Sequence, residues 1–231
     1  MKQLKDIIIE KLQTSSKSEH KYLPKHKGEL RSLIEDLLKE NGSDANLNNI
    51  DVSNIDDMGS LFYDLDPHNI DISEWDVSNV ETMESMFEGC KNFNSDLSKW
   101  NVSKVKNMAN MFKDCYEFNS KLNDWDVSNV TDMERMFFNC TNLDTKLSNW
   151  DVSSVKTTAW MFTGCKDFKG IGLENWDVSN IINMEKMFMY CSNFKCNKLD
   201  KWDIKLNNSK TNYMFSGCTS LKNKPKWYTK G

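Results

Sequence analysis

Cysteine is the residue type in this chain that first suggests chemistry, because a thiol can bind metal, form a disulfide or act as a nucleophile. Metal sites usually need ligands that converge on one point, commonly from cysteine pairs two to four residues apart. Six of the seven cysteines instead recur about once every 25 residues, at Cys90, Cys115, Cys140, Cys165, Cys191 and Cys218. This spacing predicts a ladder of buried, reduced thiols and no metal site. Cys196 stands outside the period and could be exposed, and it could then pair or react.

Other catalytic groups are sparse. The three histidines, His20, His26 and His68, lie outside the well-formed repeats described below. The sequence offers no candidate for a nucleophile triad, a zinc hydrolase site or a phosphate-binding glycine loop. We therefore expect no enzyme activity and no cofactor, and an enzyme or metal-binding protein remains only a remote alternative.

The charge distribution argues against a nucleic-acid partner. The 231-residue chain carries a net charge of −4, and residues 50–221 contain 17 Lys/Arg against 26 Asp/Glu. Such an acidic body should repel a phosphate backbone. No apolar run approaches the roughly 18 residues of a membrane span, so we expect no membrane insertion. The first 20 residues show no signal-peptide pattern, which leaves the localisation open.

The positions of the cysteines follow from a 25–26 residue repeat. Its pattern is W-D-V-S-N-V-x-x-M-x-x-M-F-x-x-C-x-x-F-N-x-x-L-S-x, and a degenerate copy begins at Ile50. Repeats of this length typically stack so that each copy buries the apolar face of its neighbour. The pattern predicts that Trp, Met, Phe and Cys form one elongated hydrophobic core. The tryptophans that mark the period are Trp75, Trp100, Trp125, Trp150, Trp176 and Trp202.

Two periodicities divide each repeat. Apolar and polar residues alternate around Trp100 and Val102, which predicts a short strand. The following apolar residues have the i, i+3, i+4, i+7 spacing of a short helix, at Met108, Met111, Phe112 and Cys115. The predicted fold class is therefore an α/β repeat solenoid, a leucine-rich-repeat-like right-handed coil of short parallel strands and short helices with a helical N-terminal cap.

The flanking segments predict the domain limits. Residues 1–28 form a polar leader that could contain a short helix. Residues 29–49 hold a capping helix and loop, because the segment 29–40 places its leucines on one helical face before Asn41-Gly42. About seven repeats fill 50–221, and 222–231 form a C-terminal cap or tail in which Trp227 and Tyr228 fold over the last repeat.

The motif W-D-V-S-N-V-x-x-M-x-x-M-F-x-x-C-x-x-F-N resembles the BspA-like leucine-rich repeat surface proteins of bacteria. The resemblance covers about residues 50–221, and the copies at Trp75, Trp125 and Trp176 match best. It implies a cell-surface or secreted interaction protein, often an adhesin, without catalytic residues. The motif is specific for the repeat and uninformative about the ligand.

The strand face supplies the first candidate binding residues. A row of aspartates recurs one residue after each Trp, and three explanations are open: bonds to local backbone donors, a cation between coils, or a basic partner. Some residues on this face differ from the recurring type at their position, although the fold should not require the difference. These residues are candidates for partner contacts: Lys99, Asn101, Lys201 and Lys205.

The helix side supplies a second candidate surface. Positions ten and thirteen after each Trp should point away from the core, and in the early repeats they are polar. In the late repeats these positions hold the apolar residues Phe138, Trp160 and Met189, and Tyr213 occupies the matching place in the last repeat. Contiguous exposed apolar side chains usually mark an interface. The alternative is that these rings lie flat over gaps in the packing, since Thr158 replaces the usual Met beside Trp160.

These features together favour a non-enzymatic protein-interaction or adhesion module of the bacterial surface-protein type. Its expected partner is a protein, for which host and cell-surface proteins are both candidates. The alternative is a self-associating structural repeat protein, and the expected state is a monomer or a weak homodimer.

Overall fold

Backbone hydrogen bonds between consecutive repeats dominate the structure, a computed structural model that describes residues 20–204 and 210–228. One α-helix, α1, spans Lys27–Asn41, and single 3-10 turns cover Leu173–Asn175 and Leu199–Lys201. Parallel pairing in the described ranges is confined to isolated bridges. The main series of bridges links one residue of each coil to the next: Asp57, Thr82, Asn107, Asp132, Thr157, Asn183 and Lys210.

The predicted α/β solenoid of parallel strands and short helices is wrong. Within the described residues the repeats contain neither a strand nor an α-helix, and turns and bends make up nearly all of each coil. The 25-residue copies stack in register, as their hydrogen bonds show, but they do so through turns.

The predicted helix fails because two residues of each repeat have left-handed backbone. In the third coil Asn110 has a φ of 56° and Asp114 a φ of 60°, which interrupts α-helical bonding every fourth residue. The amide of Met111 donates to Met108 O at 3.2 Å, closing a turn, while the amide of Phe112 donates to Met136 O of the next coil at 2.9 Å. Successive turns place side chains i, i+3, i+4 and i+7 on one side as a helix would, so the spacing of apolar residues alone was misleading.

The predicted strand fails because its amides bond locally. The Trp100 amide donates to Leu97 O at 3.1 Å, and the Val105 amide donates to Val102 O at 2.9 Å. The Ser103 amide donates to Asn101 Oδ1 at 3.2 Å. Burial still alternates along this segment, but the groups that would form a ladder between strands are used within turns.

The predicted hydrophobic core is confirmed. The repeat residues Trp, Met, Phe and Cys belong to one buried cluster that runs through all coils. Phenylalanines of successive coils stack in parallel with ring centroids 5.1–5.7 Å apart, from Phe62 to Phe215. Trp75 and Trp100 stack at 6.4 Å with an interplanar angle of 4°. Offset ring stacking adds to the free energy gained from apolar burial.

Side-chain donors join each coil to the one before it. The six repeat tryptophans and Trp227 each donate their Nε1–H to a backbone carbonyl of the preceding coil at 2.7–3.0 Å. The repeat thiols donate to phenylalanine carbonyls at 2.8–3.1 Å. Asn129 donates to Ser103 O at 2.8 Å. The invariance of Trp, Cys and Asn across most copies thus reflects backbone carbonyls that need donors.

The helix α1 covers the N-terminal end of the stack. Leu30, Leu33, Ile34 and Leu37 are buried against the core. Arg31 reaches over the first coil, where its guanidinium donates to the carbonyls of Ser60, Leu61 and Tyr63 at 2.7, 3.1 and 3.2 Å. In later coils, the carbonyls at the positions of Leu61 and Tyr63 accept hydrogen bonds from amides of the preceding coil. One arginine therefore replaces part of a missing coil.

The indole hydrogen bonds should contribute measurably to stability. Trp125→Phe keeps an aromatic ring but removes one of the two donors to Leu97 O, the other being the Trp100 amide, so we expect a loss of about 0.5–1.5 kcal/mol in the free energy of unfolding. Trp125→Leu should lose more, about 3–5 kcal/mol, since it also removes ring volume. Urea denaturation measures both. The exposed control Lys121→Ala should change stability by less than about 0.5 kcal/mol, and equal losses in all three variants would contradict the argument.

Arg31 should be needed for closure of the N-terminal end. Arg31→Met retains much of the aliphatic stem but removes three hydrogen bonds to carbonyls, so we expect about 1–3 kcal/mol of destabilisation. Hydrogen exchange should show faster opening of the first coil than of the middle coils. Arg31→Lys should be intermediate, because an ammonium cannot reproduce the planar fork of donors. Uniform loss of protection along the whole stack would argue against a local closing role.

Candidate interaction surface

One position of the repeat carries the candidate surface, and we name it the turn column. It lies ten residues after each repeat Trp, or eleven in the last coil, and its members all have a φ between 53° and 61°. Left-handed backbone is unusual for a bulky residue and common for Asn or Gly. The members are Ser85, Asn110, Arg135, Trp160, Lys186 and Tyr213.

The early half of the turn column belongs to a polar network. Ser85 Oγ donates to Glu88 at 2.6 Å, and Lys113 Nζ from the next coil donates to the same carboxylate at 2.7 Å. The hydrogen bond to Glu88 raises the pKa of Lys113. These coils show that the backbone accepts small polar residues in the column without loss of the fold.

The late half alternates cations with aromatic rings. Lys186 Nζ lies 3.9 Å from the centroid of the Trp160 ring, and the Arg135 guanidinium carbon lies 5.6 Å from it. Lys186 Nζ also lies 5.9 Å from the ring of Tyr213. Cations at these distances over an aromatic face are attracted by its quadrupole. Four successive coils thus form one continuous line of side chains.

The structure brings together three of the four apolar residues that the sequence singled out on this side, Phe138, Trp160 and Tyr213. The rings of Phe138 and Trp160 lie 6.2 Å apart at 45°, and Tyr213 joins them through Lys186. Phe138, Trp160 and Met189 are half-buried, whereas Tyr213 is 52% exposed. The surface therefore presents aromatic edges and cationic groups, a composition that suits contact with another macromolecule.

Sequence reasoning missed Arg135 and Lys186. Their signal was available, because both stand ten residues after a repeat Trp, in the column that contains Trp160. A pattern of exposed apolar residues does not include them, because both side chains are charged. Their pairing with the neighbouring carboxylates of Glu134 and Glu185, at 2.9 and 3.3 Å, leaves this stretch nearly neutral.

Two of the four strand-face candidates, Lys99 and Asn101, have side-chain partners within the fold. Lys99 Nζ pairs with Glu74 of the preceding coil at 2.6 Å, and this hydrogen bond raises the pKa of Lys99. Asn101 accepts from the Ser103 amide. Lys201 is exposed in the Leu199–Lys201 turn, and Lys205 lies outside the described residues. The structure places Lys99, Asn101 and Lys201 on the Trp side of the coil, apart from the turn column.

The recurrent aspartates follow the first of the three explanations, bonds to local backbone donors. Asp126 Oδ1 accepts from the Ser128 hydroxyl at 2.6 Å and from its amide at 3.1 Å. Those two hydrogen bonds lower the pKa of Asp126, the hydroxyl having the larger effect. The described part of the chain contains no group of three His, Cys, Asp or Glu side chains arranged to hold a metal ion.

The thiol ladder is buried, and all seven cysteines are free. Burial raises the pKa of Cys90 and of Cys218 to about 12 in each case. Cys196 is half-buried and lies 3.7 Å from a Glu174 carboxylate oxygen, and burial again raises its pKa. The helices of the described chain include none that is both long enough and apolar enough to span a bilayer.

Thiol labelling should separate Cys196 from the ladder. In the native protein at pH 8 we expect iodoacetamide to modify Cys196 alone and slowly, because the ladder thiols are buried and protonated. Unfolding in urea should make all seven cysteines reactive. Because the folded pKa of a ladder thiol lies above its usual 9.0, its contribution to stability should be complete below pH 9 and should be lost as the pH rises toward about 12. Mass spectrometry and alkaline unfolding curves test both expectations, and rapid native labelling of Cys140 would contradict them.

A protein-family model, DUF285, described as "Mycoplasma protein of unknown function", matches residues 31–142 and, in tandem, residues 117–228. Together the two matches cover residues 31–228, which include most of the helix α1 and the coils. No curated protein and no solved structure matches the chain.

Proposed function

The chain belongs to the DUF285 family, and on that premise we propose that it is a non-enzymatic protein-interaction module that binds a protein partner through the late half of the turn column. The observation that carries the proposal is the change of residue type along one backbone position. Ser85 and Asn110 fill it in early coils, whereas Trp160 and Tyr213 fill it in late ones.

The change from small polar residues to aromatic ones at this position adds little to the stability of the fold. A bulky residue with positive φ lowers the free energy of unfolding by on the order of 1–3 kcal/mol. Asparagine, which occupies the same column at Asn110, avoids much of that cost. Residues that are unfavourable for the backbone yet partly accessible are typical of functional surfaces. Trp, Tyr and Arg are also the residues that most often dominate binding energy at protein interfaces.

The resemblance of the repeat motif to BspA-like leucine-rich repeat surface proteins supports an adhesion-type role. That resemblance concerns the residue pattern, and the strand-and-helix architecture does not enter the proposal. A stack of short coils offers a broad, rigid surface on which side chains vary while the core stays constant.

Removal of the aromatic residues should abolish binding without unfolding the protein. In the double variant Trp160→Asn/Tyr213→Asn, asparagine suits the left-handed backbone, so the melting temperature should change little. The wild type and the control Tyr116→Asn, which alters an exposed tyrosine elsewhere, should capture the same partner from host or bacterial lysates. Reconstituted with that partner after its purification, the double variant should bind at least about tenfold more weakly.

Two results would contradict this function. Equal binding by all three proteins would remove the turn column as the contact, and parallel loss in the control would point to a general defect. Light scattering tests the self-association alternative: a wild-type dimer that Trp160→Asn converts to a monomer would assign the column to a homodimer seam.

A further inference from the structure

The backbone beneath the late half of the turn column is fully hydrogen-bonded. Every amide of residues 134–139, 159–164 and 185–190 donates to an acceptor within the chain. Strand addition, in which a partner segment pairs with free main-chain groups, therefore finds no amide donors on this surface. A segment that binds here must be recognised through side chains.

Trp160 differs from the other seven tryptophans in the state of its indole. The six repeat tryptophans and Trp227 donate Nε1–H to carbonyls of the preceding coil. Within residues 20–204 and 210–228, no group accepts from the Nε1–H of Trp160, and the one buried side-chain atom without a partner in these ranges is Asn49 Oδ1. The indole nitrogen of Trp160 therefore reaches the surface as an unbonded donor.

Tyr190 adds a second aromatic residue with left-handed backbone beside the column. Its φ is 62°, and the equivalent positions of the neighbouring coils are glycines, Gly164 and Gly217. Its side chain is 58% exposed and lies against Gly217, where a Cβ would come within 2.5 Å of the ring. The hydroxyls of Tyr190 and Tyr213 have no hydrogen-bond partner in the described ranges. The late coils thus present three accessible donors, each on an aromatic ring.

The large apolar side chains of this surface recur every second coil. In the turn column Trp160 and Tyr213 are two coils apart, and thirteen residues after the repeat Trp the same holds for Phe138 and Met189, with Thr163 between them. Hydrogen-bonded neighbouring coils lie about 4.8 Å apart, so the apolar period is about 9.6 Å.

This period selects the conformation of a segment that runs along the stack. A polyproline II helix advances about 9.3 Å in one turn of three residues, a mismatch of about 0.3 Å per period. Two turns of an α-helix advance about 10.8 Å, a mismatch of about 1.2 Å. A polyproline II segment therefore keeps every third residue in register with the rings over several turns.

The balance of charge and donors points to the same chemistry. Arg135 pairs with Glu134 at 2.9 Å and Lys186 with Glu185 at 3.3 Å, so a strongly charged segment gains little here. Proline suits unbonded N–H and O–H groups, because its carbonyl accepts a hydrogen bond and it has no amide of its own to leave unpaired. Its preformed conformation also reduces the entropy lost on binding.

On the basis of the proposed function of the turn column, we propose that the partner binds through an uncharged, proline-rich segment in the polyproline II conformation, which lies along the stack over Trp160 and Tyr213. Proline rings at every third residue pack against these two aromatic rings. Carbonyls of the segment accept from the Nε1–H of Trp160 and from the hydroxyls of Tyr190 and Tyr213. Lys186, whose Nζ lies 3.9 Å from the centroid of the Trp160 ring, holds that ring in place.

An end-capped oligoproline of about nine residues, three polyproline II turns, is the probe. In nuclear magnetic resonance spectra of the isotope-labelled full chain, the eight tryptophans should give eight indole signals. Titration with the oligoproline should shift the Trp160 signal most, because the other seven indoles are already bonded, and Trp160→Phe identifies that signal by removing it. An oligoglycine of the same length, which has carbonyls but neither rings nor a preformed conformation, should bind at least about tenfold more weakly.

Matched variants test the donors without removing the rings. Trp160→Phe should weaken oligoproline binding about three- to tenfold, and Tyr190→Phe/Tyr213→Phe should do the same. Tyr116→Phe, which removes an exposed hydroxyl elsewhere, should leave the affinity unchanged. All these variants should melt at the temperature of the wild type. Equal affinity of Trp160→Phe and the wild type would contradict the role of the free indole.

Three outcomes would overturn the proposal. They are absence of oligoproline binding up to about 1 mM, binding that leaves the Trp160 signal in place, and an affinity that falls more than about tenfold between about 50 and 500 mM salt, which would show that charge dominates.

Competition separates this proposal from the function on which it rests. The oligoproline should displace the purified partner, and Trp160→Asn/Tyr213→Asn should lose both ligands. A partner that this double variant fails to bind, but that the oligoproline does not displace, would overturn the proline-rich segment while supporting the turn column as the binding surface.

Discussion

Hydrogen bonding of the backbone to the next coil is the constraint on which this structure depends. A chain of turns cannot satisfy its own amides and carbonyls as a helix does, so many of these groups bond to neighbouring coils. On the turn side the amides point toward the C-terminal end. On the Trp side the indoles and asparagines point toward the N-terminal end. Each coil is held from both directions, and the stacked rings fill the space between.

The same constraint makes the two ends of the stack chemically different. The N-terminal end exposes carbonyls, which a cationic side chain can satisfy, and Arg31 on α1 does so. The corresponding turn-side amides of the last coil, those of Thr211, Tyr213 and Gly217, have no backbone acceptor within residues 20–204 and 210–228. Trp227 and Tyr228 pack on the apolar core at that end. Polarity of the ends is thus a property of the coil itself, independent of the side chains on its surface.

A core built this way leaves the surface columns free to vary. Glu88 in an early coil accepts from Ser85 and Lys113, whereas Trp160 further along is covered by Lys186 and Arg135. The backbone is the same in both places. Differences between coils therefore carry information about binding that the repeated core residues do not.

Sequence alone determined the period, the register and the burial of the repeat Trp, Met, Phe and Cys residues, because apolar spacing depends on which side chains must leave water. The repeat spacing also predicted that Phe138 and Trp160 lie on the same side of the stack. It did not determine the backbone path, since i, i+3, i+4, i+7 spacing fits successive turns as well as a helix, and nothing in the identity of Asn110 or Arg135 required a positive φ. Only the tertiary structure decided that path, because left-handed residues are stabilised by hydrogen bonds to coils about 25 residues away. The placement of Lys186 over Trp160 was decided in the same way.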